Sequence, residues 1–227
     1  RDYCVSRGLG DVYKRQVREL AHKAGLSTAD KKDSQGLCFI GKVRLPDFLQ
    51  QKLQPKEGTV WEISSNAPFL DEPRTNLEEL ARPFDFHPKQ GTKRGTHNGA
   101  HYYTVGQRKG LNIGGSPKPL FVLGVNTTFN AIYVGQGEDH KGLYRKALKI
   151  NSNEVHWVRE DLALGKGTSQ KFMGRIRYRQ PLVPVTIHHH ESGFFLEFEK
   201  PEKAITPGQF AAWYLGDELI GSGTIAH

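Results

Sequence analysis

The spacing of apolar residues changes once along this chain, from helical near the start to strand-like afterwards. In Val17–Gly25, Val17, Leu20, Ala21 and Ala24 recur at helical spacing, and Gly25 offers a C-terminal stop. Leu26 to Ser34 reads as a loop. Leu45–Leu53 predicts a second short helix, with Pro46 in its first turn and Phe48, Leu49 and Leu53 on one face. Gly58–Ile63 then predicts a strand. Ser64–Gly95 carries Pro68, Pro73, Pro83 and Pro88 and predicts a long irregular insertion, in which Thr75–Ala81 makes one or two helical turns around Leu77 and Leu80. His101–Val105 predicts a strand leading into a basic turn, Gly106–Gly110. Leu120–Asn126 and Ala131–Gln136 predict a hairpin, and Glu138–Gly142 a polar joint. Ala147–Ile150, Val155–Trp157, Gln170–Ile176, Leu182–His189, Gly193–Phe198, Gln209–Leu215 and Glu218–Ile225 follow as short strands separated by turns. That series predicts a small barrel or sandwich. The fold class is therefore mainly β (α+β): a small central α+β domain over 42–145 and a β-barrel over 146–227.

Composition narrows the function. The sequence has 227 residues and no apolar run of about 18, so no helix is expected to span a membrane. Two cysteines make no disulfide framework, which fits a cytoplasmic location. A net charge of +8, from 32 basic and 24 acidic residues, favours an anionic partner, with nucleic acid the commonest. Residues 1–16, RDYCVSRGLGDVYKRQ, show neither period and resemble the translated adaptor sequence left at the ends of sequencing reads. They are read as a non-native leader, and Cys4 within them is given no role.

The stretch richest in chemistry is Lys31–Gly41, KKDSQGLCFIG. A thiol reacts as the thiolate, which nearby cations and free backbone N–H groups favour. Lys31, Lys32 and the turn at Gly36 are placed to supply both to Cys38. The residues alone leave open the blander reading, a small buried hydrophobe. KKDSQGLCFIG resembles the second-cysteine motif of the bacterial tRNA-specific 2-thiouridylases. Tyr102–Gly115 (YYTVGQRKGLNIGG), Arg175–Gln180 (RIRYRQ) and Thr206–Gln209 (TPGQ) resemble further motifs of that family, in the same order.

The resemblance implies an enzyme that replaces the 2-oxygen of the wobble uridine with sulfur, using ATP with Mg²⁺. It implies that Cys38 carries the sulfur as a persulfide received from a sulfur-relay protein or cysteine desulfurase. It further implies that Arg177, Tyr178, Gln209, Arg108 and Lys109 contact the anticodon arm of tRNA. Residues 17–41 would then end an α/β nucleotide-binding domain. The family's Ser-Gly-Gly-x-Asp-Ser loop and its other catalytic cysteine have no counterpart in the sequence, so the chain is expected not to thiolate tRNA alone. ATP-dependent thiolation by it would overturn that.

Bland readings stand beside these. Gly106–Gly110 reads equally as a solvated hairpin turn. Arg177 and Tyr178, if on a strand, point to opposite faces and both reach RNA only at an edge or bulge. His188, His189 and His190 alternate faces, so three in a row do not converge on one ion, and no metal is expected. His97 and His101, four apart ahead of a predicted strand, suit a structural or RNA-facing role. The rival function is a stand-alone RNA-binding module with a structural cysteine; a weaker third is a basic β-rich protein with a protein partner.

Overall fold

The computed structural model describes residues 18–27, 29, 54–178 and 180–226. Cys38 and the predicted helix Leu45–Leu53 lie outside the described residues, as does the leader. The chain forms two compact units, Arg1–Gln54 and Pro55–His227. In the first, residues 18–23 form helix α1. Gly25 ends it at φ +64°, with its N–H bonded to His22 O and that of Leu26 to Ala21 O. This paired arrangement closes off the last carbonyls, and it needs the left-handed conformation glycine adopts freely.

The second unit begins with a four-stranded mixed sheet. Its strands are β1 (Gly58–Ile63), β2 (Gly91–His97), β3 (Leu120–Asn126) and β4 (Ala131–Gln136), in the order β2-β1-β4-β3. β1 runs parallel to β4, and the other pairings are antiparallel. Both faces are buried. Tyr133, Phe121 and Ile63 pack with Phe86, Leu70 and Leu143 on one side; Ile132, Val134, Val60 and Val122 pack with Ala100 and Leu111 on the other. Two covered faces explain why β3 and β4 read as apolar runs without clean alternation.

Two expectations for this region are corrected. The irregular insertion ends before Gly91, because Gly91–His97 is β2. That strand is short of large apolar side chains and lies at the sheet edge, so it carries little periodic signal. His101–Val105 is not a strand. Gly99 at φ +141° turns the chain into a single 3-10 turn, Ala100–Tyr102. From there the backbone is held by Gly106 N–H to Val122 O (2.7 Å) and Val122 N–H to Gln107 O (2.9 Å). Tyr103, Leu111 and Ile113 cover the second sheet face instead of alternating.

A closed antiparallel barrel follows: β5 (Tyr144–Trp157), β6 (Ser169–Arg175), β7 (Val183–His190), β8 (Gly193–Lys203), β9 (Phe210–Leu215) and β10 (Glu218–Ile225), in the order β10-β5-β8-β7-β6-β9, with β9 pairing back to β10. The two short strands expected at Ala147–Ile150 and Val155–Trp157 are one. β5 pairs with β8 up to Ile150 and with β10 from there, so the exposed Asn151–Asn153 stretch marks a change of partner rather than a break. Leu148, Ile150, Leu196, Phe198 and Trp213 fill the interior.

The insertion is ordered, and it joins the sheet to the barrel. Helix α2 (Leu77–Ala81) is capped by Asn76, whose side chain accepts from Glu79 N at 2.9 Å. Its Ala81 packs with Ala147 and Phe195 on the outside of the barrel, with Leu77 and Leu80 against them. Glu78 accepts from Lys149 Nζ (3.2 Å) and from the Ser192 hydroxyl. An apolar residue on both faces of β8 is thus explained by a helix on the outer one.

Two buried histidines tie the sheet domain together. His140 accepts from Gly142 N–H at Nδ1 (3.1 Å), and Nε2 lies 3.1 Å from Ile63 O, so the ring is neutral with its proton on Nε2. His97 accepts from Gly99 N–H at 3.0 Å. Burial lowers the pKa of both below the usual 6.5. The unfolded chain then binds more protons than the native state below about pH 6.5. Stability, full above that value, should fall with acidity by up to about 1.4 kcal/mol per pH unit for each histidine. Urea midpoints at pH 5.5 and 7.5 check this, and a flat profile contradicts it.

Candidate nucleic-acid interface

Three of the four motif segments converge on the connection between β8 and β9. The basic turn touches it directly: Gly106, at φ +85°, lies so close that an added Cβ would stand 2.4 Å from the Ala204 methyl group. Only glycine fits there. Arg177 binds the same connection, its Nη2 donating to Lys203 O and Ala204 O, both at 2.6 Å. Thr206, the first residue of the TPGQ turn, donates from Oγ1 to Ala204 O at 3.1 Å. Ala204 itself has φ +51°, and its N–H bonds Leu143 O at 2.7 Å.

Each candidate residue has a definite setting. Arg108 and Lys109 are exposed. Their turn is shaped by Gln107, whose side chain accepts from Thr104 N–H (3.1 Å) and donates to Lys109 O (2.9 Å). Arg108 acts at a distance on Glu138, which Lys203 Nζ contacts at 2.6 Å; the lysine first, and the arginine after it, hold that carboxyl below its ordinary pKa. Gln209 is exposed, and its backbone pairs with Ile225 N–H at 2.8 Å. Arg177 and Tyr178 lie beyond the strand, because β6 ends at Arg175 and a turn follows. Gln180 shapes that turn, its side chain accepting from Ile176 N–H and its own N–H bonding Arg177 O, both at 3.1 Å. Tyr178 is half-buried and its carbonyl accepts from Arg175 Nη1. Arg177 also lies 3.6 Å from Glu202, so much of its bonding holds the β8–β9 connection in place.

The histidines take separate partners. His188 faces Glu197 at 3.1 Å, His189 stacks on Phe194 at 4.0 Å between ring centres, and His190 meets the Ser192 hydroxyl at 3.0 Å. Among the described residues no three potential metal ligands cluster. His101 packs at a tilt against Tyr102, its ring centre 4.0 Å away.

Sequence reasoning missed Arg145. It is buried, and it donates to Ala81 O at the end of α2 (2.6 Å) and to Ile205 O beside the TPGQ turn (2.7 Å). Burial, followed by the neighbouring Arg74 charge, lowers its pKa to about 10, which still leaves it cationic near neutrality. The available signal was a cation at the start of β5, two residues before Ala147, which packs against α2.

Comparison with known proteins covers almost the whole chain. Residues 147–225 match the family described as an aminomethyltransferase beta-barrel domain, residues 81–136 a tRNA methyl transferase PRC-barrel domain, and residues 5–42 a tRNA methyl transferase HUP domain. The chain is 53% identical over 225 residues to a protein of Flavobacterium johnsoniae named tRNA-specific 2-thiouridylase MnmA, an alignment covering 96% of this chain and 57% of that protein. Proteins of the same name from Christiangramia forsetii and Halalkalibacterium halodurans are 50% and 40% identical, over 96% of this chain and 57% and 51% of theirs. The chain spans about half the length of these curated relatives.

Proposed function

The chain belongs to the tRNA-specific 2-thiouridylase family, and on that premise we propose that it serves the replacement of the 2-oxygen of a tRNA wobble uridine by sulfur, in the cytoplasm. One observation carries the RNA side of this reading. The basic turn, the Arg177 turn and the TPGQ turn meet at Ala204, although they lie far apart in sequence. Arg108 and Lys109 would meet backbone phosphates of the anticodon arm, where cations supply most of the affinity. Tyr178 and Gln209 would meet ribose or base edges. Arg177 would hold the connection that presents them, offering its remaining donors to a phosphate.

The sulfur side rests on Cys38. Its thiolate would attack the outer sulfur of a persulfide on a relay protein or cysteine desulfurase, releasing the donor's thiolate and leaving a persulfide on Cys38. That sulfur would then bond to carbon 2 as the activated 2-oxygen leaves. A second thiolate, the role the resemblance gives to the family's other cysteine, would attack the Cys38 sulfur and break the S–S bond. The transferred sulfur would stay on carbon 2, and a disulfide would be left for an external thiol to reduce. ATP, bound with Mg²⁺, would supply the activation that makes the 2-oxygen a leaving group. Residues 5–42, which match the HUP domain, fall mostly outside the described residues. The one Gly-rich basic turn described, Gly106–Gly110, binds its own backbone through Gln107.

A persulfide donor should transfer its sulfur to the wild-type chain and not to Cys38→Ser, read as a mass increase of about 32 Da on the peptide holding residue 38. An equal increase in the two would remove Cys38 from the chemistry. Binding of tRNA with no sulfur uptake would favour the RNA-binding module.

A further inference from the structure

Between the sheet domain and the barrel lies a cleft of about 400 Å³, within the size range of small-molecule sites. Phe84, Phe86, Tyr103 and Tyr133 contribute aromatic wall, and Arg145 and Thr206 contribute polar atoms. We propose that this cleft holds one unpaired nucleotide, its base against the aromatic wall and its phosphate or carbonyl oxygens towards the Arg145 guanidinium.

Three observations carry the assignment. Among the described residues the hydrogen bonds of the buried Arg145 go to two carbonyl oxygens, so donors remain on its five-donor guanidinium, in a cleft whose lining also includes the Asp85 carboxylate. Phe84 already carries a cation on one face, the Arg74 guanidinium at 4.0 Å. Arg74 does not line this cleft, whereas Phe84 does. The Tyr133 hydroxyl is buried without a hydrogen-bond partner among the described residues, the kind of group a bound ligand completes. Stacking on aromatic rings with a cation nearby is the usual grip on an unpaired base.

Placement supplies the source. Thr104 and Val105 on one rim lead into the turn bearing Arg108 and Lys109, and Thr206 and Pro207 on the other lead to Gln209. An RNA crossing those residues passes the mouth of the cleft. This choice of RNA over a free nucleotide rests on the function proposed above.

The test uses the full chain and an anticodon stem-loop bearing 2-aminopurine at each unpaired position in turn. Binding should quench the fluorescence severalfold at one position. Val125→Trp, which fills the cleft from its wall, should abolish that quench and weaken binding about tenfold, the loss expected for one stacked base. Phe84→Leu is the second variant, in case the tryptophan disturbs folding; it should lose the quench at an unchanged melting temperature. A stem-loop that binds with no position quenched, or folded variants that keep both quench and affinity, overturns the proposal. Uridine monophosphate bound in place of the stem-loop keeps the cleft as a nucleotide site and removes RNA as its source, and with it the RNA reading. Binding of neither overturns both.

Discussion

Trp213→Ala should destabilise the second unit by about 3–5 kcal/mol, the range for removing a large ring from a closed core. The side chain is fully buried in β9, and its ring centre lies 5.3 Å from that of Trp157 in an edge-on contact. Gly221 of the adjoining strand packs so closely that an added Cβ would stand 2.7 Å from the indole. The indole N–H has no partner among the described residues, so the loss is one of packing rather than of a hydrogen bond. Because a barrel has no free edge, its strands cannot slide to fill the void, and little of the loss should be recovered by relaxation. Urea denaturation measures the effect. A loss under about 1 kcal/mol would mean that the interior is not closed around this residue. Measured against a usual domain stability of about 5–15 kcal/mol, the expected change is large.

Arg145→Met should cost about 2–4 kcal/mol, by a different route. The variant keeps much of the side chain's bulk but leaves Ala81 O and Ile205 O without their donor. Each buried carbonyl left unpaired costs about 1–3 kcal/mol, offset in part because a desolvated charge has gone. Arg145→Lys should recover only part, since one ammonium cannot reproduce a planar fork that spans two carbonyls. The defect should also be local. Helix α2 and the approach to Thr206 lose a shared anchor, so limited proteolysis should cut near residues 72–82 first. A variant with wild-type stability and wild-type cleavage would show that the guanidinium is not what joins the two.

Much of this fold is legible in the sequence because burial there follows a simple period. Gly58–Ile63, the hairpin Leu120–Asn126 with Ala131–Gln136, and Glu218–Ile225 lie where alternation and turn residues put them. The exceptions each have a neighbour that the period cannot see. Gly91–His97 pairs at an edge with little to bury, while Tyr102–Val105 has strand-forming residues but serves as a cover for the sheet. Asn151–Asn153 looks like a turn because it is exposed between two partners of one strand. At the candidate interface, the motif residues were legible by resemblance. Their meeting at Ala204 was not, nor was Arg145, because both depend on contacts between residues far apart in sequence, 64 for Arg145 with Ala81 and 27 for Arg177 with Ala204.

The contact at Ala204 has a consequence for how such sequences diverge. Because Gly106 leaves no room for a larger neighbour and Arg177 grips the adjoining carbonyls, the three turns behave mechanically as a single casting. A change that shifts one displaces the others, so tolerated drift at positions 106, 177 and 204–206 should come as matched sets. Swapping only one of these turns for that of a distant relative should fail where transplanting all three together succeeds.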